Sequence, residues 1–389
     1  MKFRNPIAGL LIFNLLFSAT RMYAQSEPRP AGVAGLSGIT KNVIIGYAYA
    51  DFIYTPHDEI KTNFNRVGFS PTMIWKLGEH LFFESQVEFF TDSNIIVTQV
   101  EYAKLSYLIN PYMTLGMGKI LTPFGMYTER FEAPFIERLP NSPLGFRHQE
   151  EAPNIGPVGS EMGLDIRGGF HLGDGKMNYV VFVTNGPRLN EGLVEHELGG
   201  ALDYENFSDN NSNKAIGGRL GILPLSNSSL EFGFSASTAT AGDVRNGHKN
   251  VSARAGAFDV AYQSAFQSVK SLINIKGQIN YLEVDRSDYI DEHGAIYSFN
   301  NTSSIYYIRA SLRPAFVKNY FIRHTEFLVR YNGMNLAEGA LWGGKSTRLD
   351  LGISYWLSLR TGLRIAYEAT NSAHHGKEDA VLVRFVTGF

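Results

Sequence analysis

The chain has 389 residues, 44% hydrophobic and 19% charged, with 39 Gly, 20 Tyr, 27 Phe and no Cys. This composition leaves no long stretch too poor in apolar residues to fold, and the missing thiols exclude disulfide staples, thiolate zinc sites and a lipid-bearing N-terminal Cys. A net charge of −2 at pH 7 offers no basic excess for nucleic acid or for a polybasic membrane anchor, so no nucleic-acid partner is expected.

Lys2 and Arg4 open the chain, Pro6 to Ala19 is apolar, and Met22-Tyr23-Ala24 ends in the small residue that a signal peptidase needs. Residues 1–24 read as a signal peptide and 25–42 as a short N-terminal segment, too short for a globular plug. The apolar stretch falls short of the roughly 20 residues of a spanning helix. No later window approaches that length of uninterrupted apolar sequence.

From Val43 to Phe389 one phrase recurs: about ten residues of alternating polarity, then a turn or a longer polar stretch rich in Gly, Asn, Asp and Pro. In 82–89 Glu84, Gln86 and Glu88 share one face, opposite Phe83, Val87 and Phe89. In 273–281 Asn274, Lys276, Gln278 and Asn280 oppose Ile273, Ile275, Ile279 and Tyr281. Short connections (Asn110-Pro111, 173–176, 224–227, 358–361) mix with long ones (185–214, 238–250, 285–302, 332–346). We expect the short ones on the periplasmic side and the long ones outside. Alternation alone fits a soluble sandwich as well as a barrel. The absence of breaks at about 100 residues argues for one barrel. So do aromatics near strand ends (Tyr47, Tyr49, Phe52, Tyr54, Tyr306, Tyr307), which suit interfacial girdles, and the final aromatic Phe389, which resembles the signal read by the outer-membrane assembly machinery. At about 22 residues per strand with its connection, roughly 14 to 18 strands fit, with 16 the single expectation. The predicted fold is all-β: a transmembrane antiparallel β-barrel over 43–389.

Thr122 to Val158 stands apart, too long for a hairpin and too apolar for a free surface loop. In a wide barrel the inner wall is the surface available to it. It follows Gly118-Lys119-Ile120-Leu121-Thr122-Pro123-Phe124-Gly125 and continues through Glu129-Arg130-Phe131, Pro134 to Arg138 and Leu144 to Arg147.

Gly-Lys-x-x-Thr-Pro-Phe-Gly before a Glu-Arg-bearing loop resembles the phosphate-selective porin O and P family. Thr184-Asn185-Gly186, Gly217 to Leu225, Arg330-Tyr331-Asn332-Gly333 and Gly352 to Leu357 leading into Thr361 to Tyr367 agree in order along the chain. The resemblance implies a 16-stranded barrel in bacterial outer-membrane lipid, commonly a homotrimer, whose third long loop folds inward as a constriction; by position that loop is 123–158. It also implies passive diffusion of small polar solutes, including anions such as phosphate, with no cofactor. The loop departs from a basic constriction. Arg130, Arg138 and Arg147 stand against Glu129, Glu132, Glu137, Glu150 and Glu151, three against five, net −2 before any charge on His148.

If the polar faces are lumenal, late strands contribute Lys276, Arg309, Arg313, Arg330, Arg348, Arg364 and Arg384 to a basic pore wall, facing Glu84, Glu88 and Asp165 from early strands. Such opposed charges would set a transverse field across water. Alternatively, each Arg pairs with Glu231, Glu326, Asp350 or Glu368 on a neighbouring strand and stiffens the wall. Phe124, Tyr127, Phe131, Phe135 and Phe146 would give a binding track to a channel selective for hydrophobic or oligosaccharide ligands. An outer-membrane enzyme is a third reading. However, no nucleophile elbow, His-Glu-x-x-His pair or phosphate-binding glycine loop is present, and no catalytic function is expected. His374-His375 with Glu378-Asp379 reads as a solvated hairpin tip rather than a metal site.

Overall fold

The period-two phrases become strands in a computed structural model that describes residues 40–92, 95–147, 153–205, 207–245, 247–374 and 376–389. The expected signal peptide, most of segment 25–42, and His148, Glu150, Glu151 and His375 lie outside the described residues. The barrel strands are β1 (Thr40–Tyr54), β2 (Thr62–Leu77), β3 (Leu81–Asp92), β4 (Ile95–Asn110), β5 (Met113–Leu121), β6 (Ser160–Leu172), β7 (Gly175–Thr184) and β8 (Ala215–Leu223). They continue as β9 (Leu230–Thr240), β10 (Ser252–Phe266), β11 (Ser271–Val284), β12 (Asn301–Arg313), β13 (Thr325–Asn335), β14 (Lys345–Trp356), β15 (Thr361–Ser372) and β16 (Gly376–Gly388). Each pairs antiparallel with the next, and β16 returns to β1 with Tyr47 opposite Gly388 and Tyr54 opposite Val381. Closure leaves no open edge, so the backbone polar groups of the wall are satisfied within it. The expected 16-stranded antiparallel barrel is the fold observed.

Side-chain parity sorts the wall. In β12 Ser303, Arg309 and Ser311 are buried inside while Ile308 and Leu312 are exposed outside. In β13 Glu326, Arg330 and Asn332 point in while Phe327, Val329 and Tyr331 point out. The apolar outer face continues around the strands, an exterior that water does not satisfy and a bilayer does. The aromatic girdle needs one correction. Tyr47, Tyr49 and Tyr307 are buried inside, because they share parity with Asp51 and Arg309; the outward row of β1 is Ala48, Ala50, Phe52 and Tyr54.

Connections follow the expected split between rims over most of the wall, although β15 and β16 are joined by just 373–375 on the long-loop rim. One rim carries the turns 78–80, 111–112, 173–174, 224–229, 267–270 and 357–360, while the opposite rim carries 185–214, 241–251, 285–300 and 336–344. One exception on the short-turn rim is 314–324, which holds a single helical turn, α2 (Tyr320–Arg323); α1 (Tyr127–Arg130) lies in the segment between β5 and β6.

Candidate functional site: the lumen and its inserted loop

Residues 122–159 leave β5 and re-enter the barrel at β6, their base closed by Thr122 N–H donating to Gly159 O (3.0 Å). Gly125 turns the chain inward. Its φ of +65° is left-handed, and a Cβ there would lie 1.9 Å from the Gln278 amide, so the Pro-Phe-Gly phrase encodes a close approach that only glycine makes. The turn aims three backbone donors at the wall: Gly125 N–H to Ser235 Oγ (2.9 Å), and Met126 and Tyr127 N–H to Gln278 Oε1 (2.8 and 2.9 Å). Gly125→Ala is expected to weaken loop docking by about 1–3 kcal/mol, read as faster limited proteolysis within 122–159 of the folded barrel. Unchanged cleavage would refute this role for the turn.

Beyond the turn, the loop is tied to the wall on every side. Glu129 receives Arg167 of β6, and Arg130 donates to Glu231 of β9 (2.9 Å). Arg138 reaches Glu326 of β13, and Arg147 lies 3.6 Å from Glu88 of β3 and 3.7 Å from Glu132. Glu137, 3% exposed, receives Arg309 and stands 4.0 Å from Arg330. Arg364 donates to the carbonyls of Pro134, Phe135 and Glu137. Arg330 donates to Asn141 Oδ1 (2.6 Å) and Ser142 O (3.1 Å), and Asn141 donates to Asp350 (2.7 Å) and Glu368 (2.6 Å). The loop therefore crosses the lumen between the late basic strands and the early acidic ones.

The wall residues singled out from sequence fall into three groups. Arg330 pairs with Asp350 (2.9 Å) directly across β13 and β14, with Arg348 on the other Asp350 oxygen (3.1 Å) and 3.9 Å from Glu368. Arg384 grips Asp51 with two bonds of 2.6 Å, and Asp165 accepts from Arg167 (2.5 Å) with Lys104 3.8 Å away. Glu88 accepts from the Tyr49 hydroxyl (3.3 Å), and Glu84 is half-buried opposite Lys104 in register. Lys276 and Arg309 form the second group. They are directly opposed across β11 and β12, two like charges in register. Lys276 Nζ lies 3.0 Å over the Phe131 ring, and the Nε and Nη2 of Arg309 have no hydrogen-bond partner among the described residues. Arg313, at the short-turn rim, donates to Arg323 O (3.0 Å) and lies over the Trp356 ring (5.5 Å).

Sequence reading missed Asp51, Arg167, Arg219 and Asp259. Arg219 and Asp259 form a buried bidentate pair (2.9 and 2.6 Å) whose signal was present: Asp259 is the lone acid of β10, in an inward row made mostly of Ala. Of the five loop aromatics, Phe124, Tyr127 and Phe146 are fully buried; Tyr127, Phe146 and Tyr307 pack edge-on with centroids 5.0 to 5.8 Å apart. These rings form core, not a track open to solute. The cluster continues into the long loops, where Tyr204, Tyr289, Phe299 and Trp342 pack together and Trp342 donates to Gly199 O (2.9 Å). One sector of the long-loop mouth is thereby roofed.

Three loop carboxylates respond differently to burial. Burial pushes Glu132 up to about 7, with Glu88 adding to the rise and Arg147 offsetting part of it. For Glu129 the guanidiniums of Arg167 and Arg130 outweigh burial and hold it at about 2, and Arg309 and Arg330 likewise hold Glu137 below the ordinary range. A raised carboxylate favours the docked loop fully below its free value of about 4.3 and loses that contribution as pH rises through 7; the depressed ones contribute above that value and lose it in strong acid. Loop protection from protease is therefore expected to fall between pH 5 and 8, and Glu132→Gln to flatten the change. An equally steep fall in the variant would contradict the assignment.

No protein-family model and no curated protein matches the sequence. Among solved structures, the chain is similar to OmpF of Salmonella typhi in complex with daunomycin (TM-score 0.59, 11% identity, 90% of this chain and 98% of that one). It is also similar to the anion-selective porin from Comamonas acidovorans (TM-score 0.56, 12% identity, 90% and 100%). The outer membrane channel DcaP of Acinetobacter baumannii is a further match (TM-score 0.54, 10% identity, 92% and 100%). The likeness is one of fold: a porin-type barrel.

Proposed function

We propose that the chain is an outer-membrane porin passing small hydrophilic solutes by passive diffusion, with residues 122–159 as its constriction. The carrying observation is the sorting of one closed wall into an apolar exterior and a charged, hydrogen-bonded interior, crossed by a loop fixed to that interior. Arg130, Arg138 and Arg147 each stand within 4 Å of a carboxylate, which weakens any net field at the loop surface and supports weak ion selectivity. A homotrimer in outer-membrane lipid completes the reading. Swelling of proteoliposomes in graded sugars and amino acids tests it: uptake should fall with solute size, and no swelling in any of them would sink it.

The finer reading, an anion preference of the phosphate-selective porin O and P kind, is favoured by Lys276 and Arg309, opposed cations of which Arg309 keeps two donors unmatched among the described residues. Faster permeation of phosphate than of a cation of equal size, lost in Lys276→Gln, would support it. Equal rates would leave the general porin.

A further inference from the structure

The short-turn rim is not uniform. Turns 267–270, 314–324 and 357–360 join consecutive strand pairs from β10 to β15, and they touch: Phe316 N–H donates to Lys270 O (3.1 Å), and Trp356 N–H to His324 O (2.8 Å). Together they carry Lys270, Lys318, Arg323 and Arg360, all exposed, and no Asp or Glu. Turns 78–80 and 173–174 on the same rim carry Glu79 and Asp174. The cationic sector also presents large apolar groups: Leu359 is 76% exposed, Phe321 64% and Tyr320 61%.

Placement decides what this mixture meets. Phe321 stacks on Tyr355 (centroids 4.9 Å apart), and Tyr355 belongs to the outward row of β14 with Leu351 and Ile353. The helical turn α2 therefore lies against the outside of the wall, continuous with the apolar belt, with Arg323 over the Tyr320 ring (5.0 Å). Aromatic and aliphatic groups beside unopposed cations at the edge of an apolar belt match the boundary between acyl chains and charged headgroups.

We propose that this sector is a docking surface for anionic phospholipid in the leaflet on the short-turn side. The inference rests on the membrane reading given above. Tyr320, Phe321 and Leu359 enter the headgroup boundary, and Lys318, Arg323 and Arg360 hold the anionic headgroup. A lipid seated there would fix the tilt of the late strands, whose inner faces hold the loop.

The test uses the full-length protein, folded in detergent with equimolar phosphatidylglycerol and phosphatidylcholine, and counts retained lipids by native mass spectrometry. The wild type should retain phosphatidylglycerol preferentially. Lys318→Gln/Arg323→Gln/Arg360→Gln should cut that preference on the order of tenfold, whereas Lys176→Gln, on the same rim outside the sector, should leave it intact. Equal retention of the two lipids by the wild type overturns the proposal, as does a preference that survives the triple change. If the triple change instead abolishes capture of a periplasmic protein with lipid retention intact, the surface binds protein and the proposal is wrong. Insertion into vesicles separates the two levels: a chain that inserts without lipid preference refutes the sector alone, and one that enters no vesicle refutes the membrane reading with it.

Discussion

Replacing Glu137 by Ala is expected to free the loop from the late strands and raise single-channel conductance. Glu137 receives Arg309 and faces Arg330 in a site closed to solvent, and its own oxygen also takes the Arg138 N–H (2.9 Å). Removing one partner of a buried pair leaves the other charge uncompensated, at a cost of about 3–5 kcal/mol. The lumen answers by admitting water or anions to Arg309, so the loop moves off the wall and the reversal potential under a salt gradient shifts toward anion preference. Conductance and reversal potential equal to wild type, in a variant with normal barrel migration on a gel, would show that Glu137 does not hold the loop.

Asp350→Ala acts on the wall itself. Asp350 is 0% exposed, accepts from Arg330 (2.9 Å), Asn332 (2.7 Å) and Asn141 (2.7 Å), and stands 3.1 Å from the Arg348 guanidinium, so it joins β13, β14 and the loop. Its loss strands two guanidiniums in one place, and the folded barrel should lose at least about 3–5 kcal/mol, seen as a lower urea midpoint for loss of heat-modifiable migration. Because Glu137 and Asp350 share Arg330, the double variant should lose less than the sum of the single losses. An unchanged midpoint for Asp350→Ala would mean that Arg330 and Arg348 find water or other acceptors without cost.

The wall was legible because its signal is local. A strand exposed to apolar surroundings on one face and to polar groups on the other must alternate; the alternation in 273–281 and 326–331 puts Lys276 and Arg330 on the polar rows, and both side chains are buried. The aromatic girdle misled where local chemistry was ambiguous: a Tyr satisfies an interface and a packed lumen equally well, and the Asp51 parity that places Tyr47 and Tyr49 inside becomes visible only beside Arg384. Pairing between the inserted loop and the wall was not legible. Glu137 and Arg309 are 172 positions apart and Arg138 and Glu326 are 188 apart, brought together by loop insertion rather than by strand register. The Thr-Pro-Phe-Gly phrase marked the place where insertion begins; the Gln278 amide that makes glycine necessary lies on a strand of no special appearance.

Single-channel recording of the purified full-length protein in planar bilayers under a salt gradient tests the central claim most directly. A water-filled barrel narrowed by a charge-paired loop should give stable open steps with a small reversal potential, and Glu137→Ala should enlarge the steps. A folded barrel that inserts and passes no current would contradict the porin reading, and would mean that the loop and the apolar roof seal the lumen.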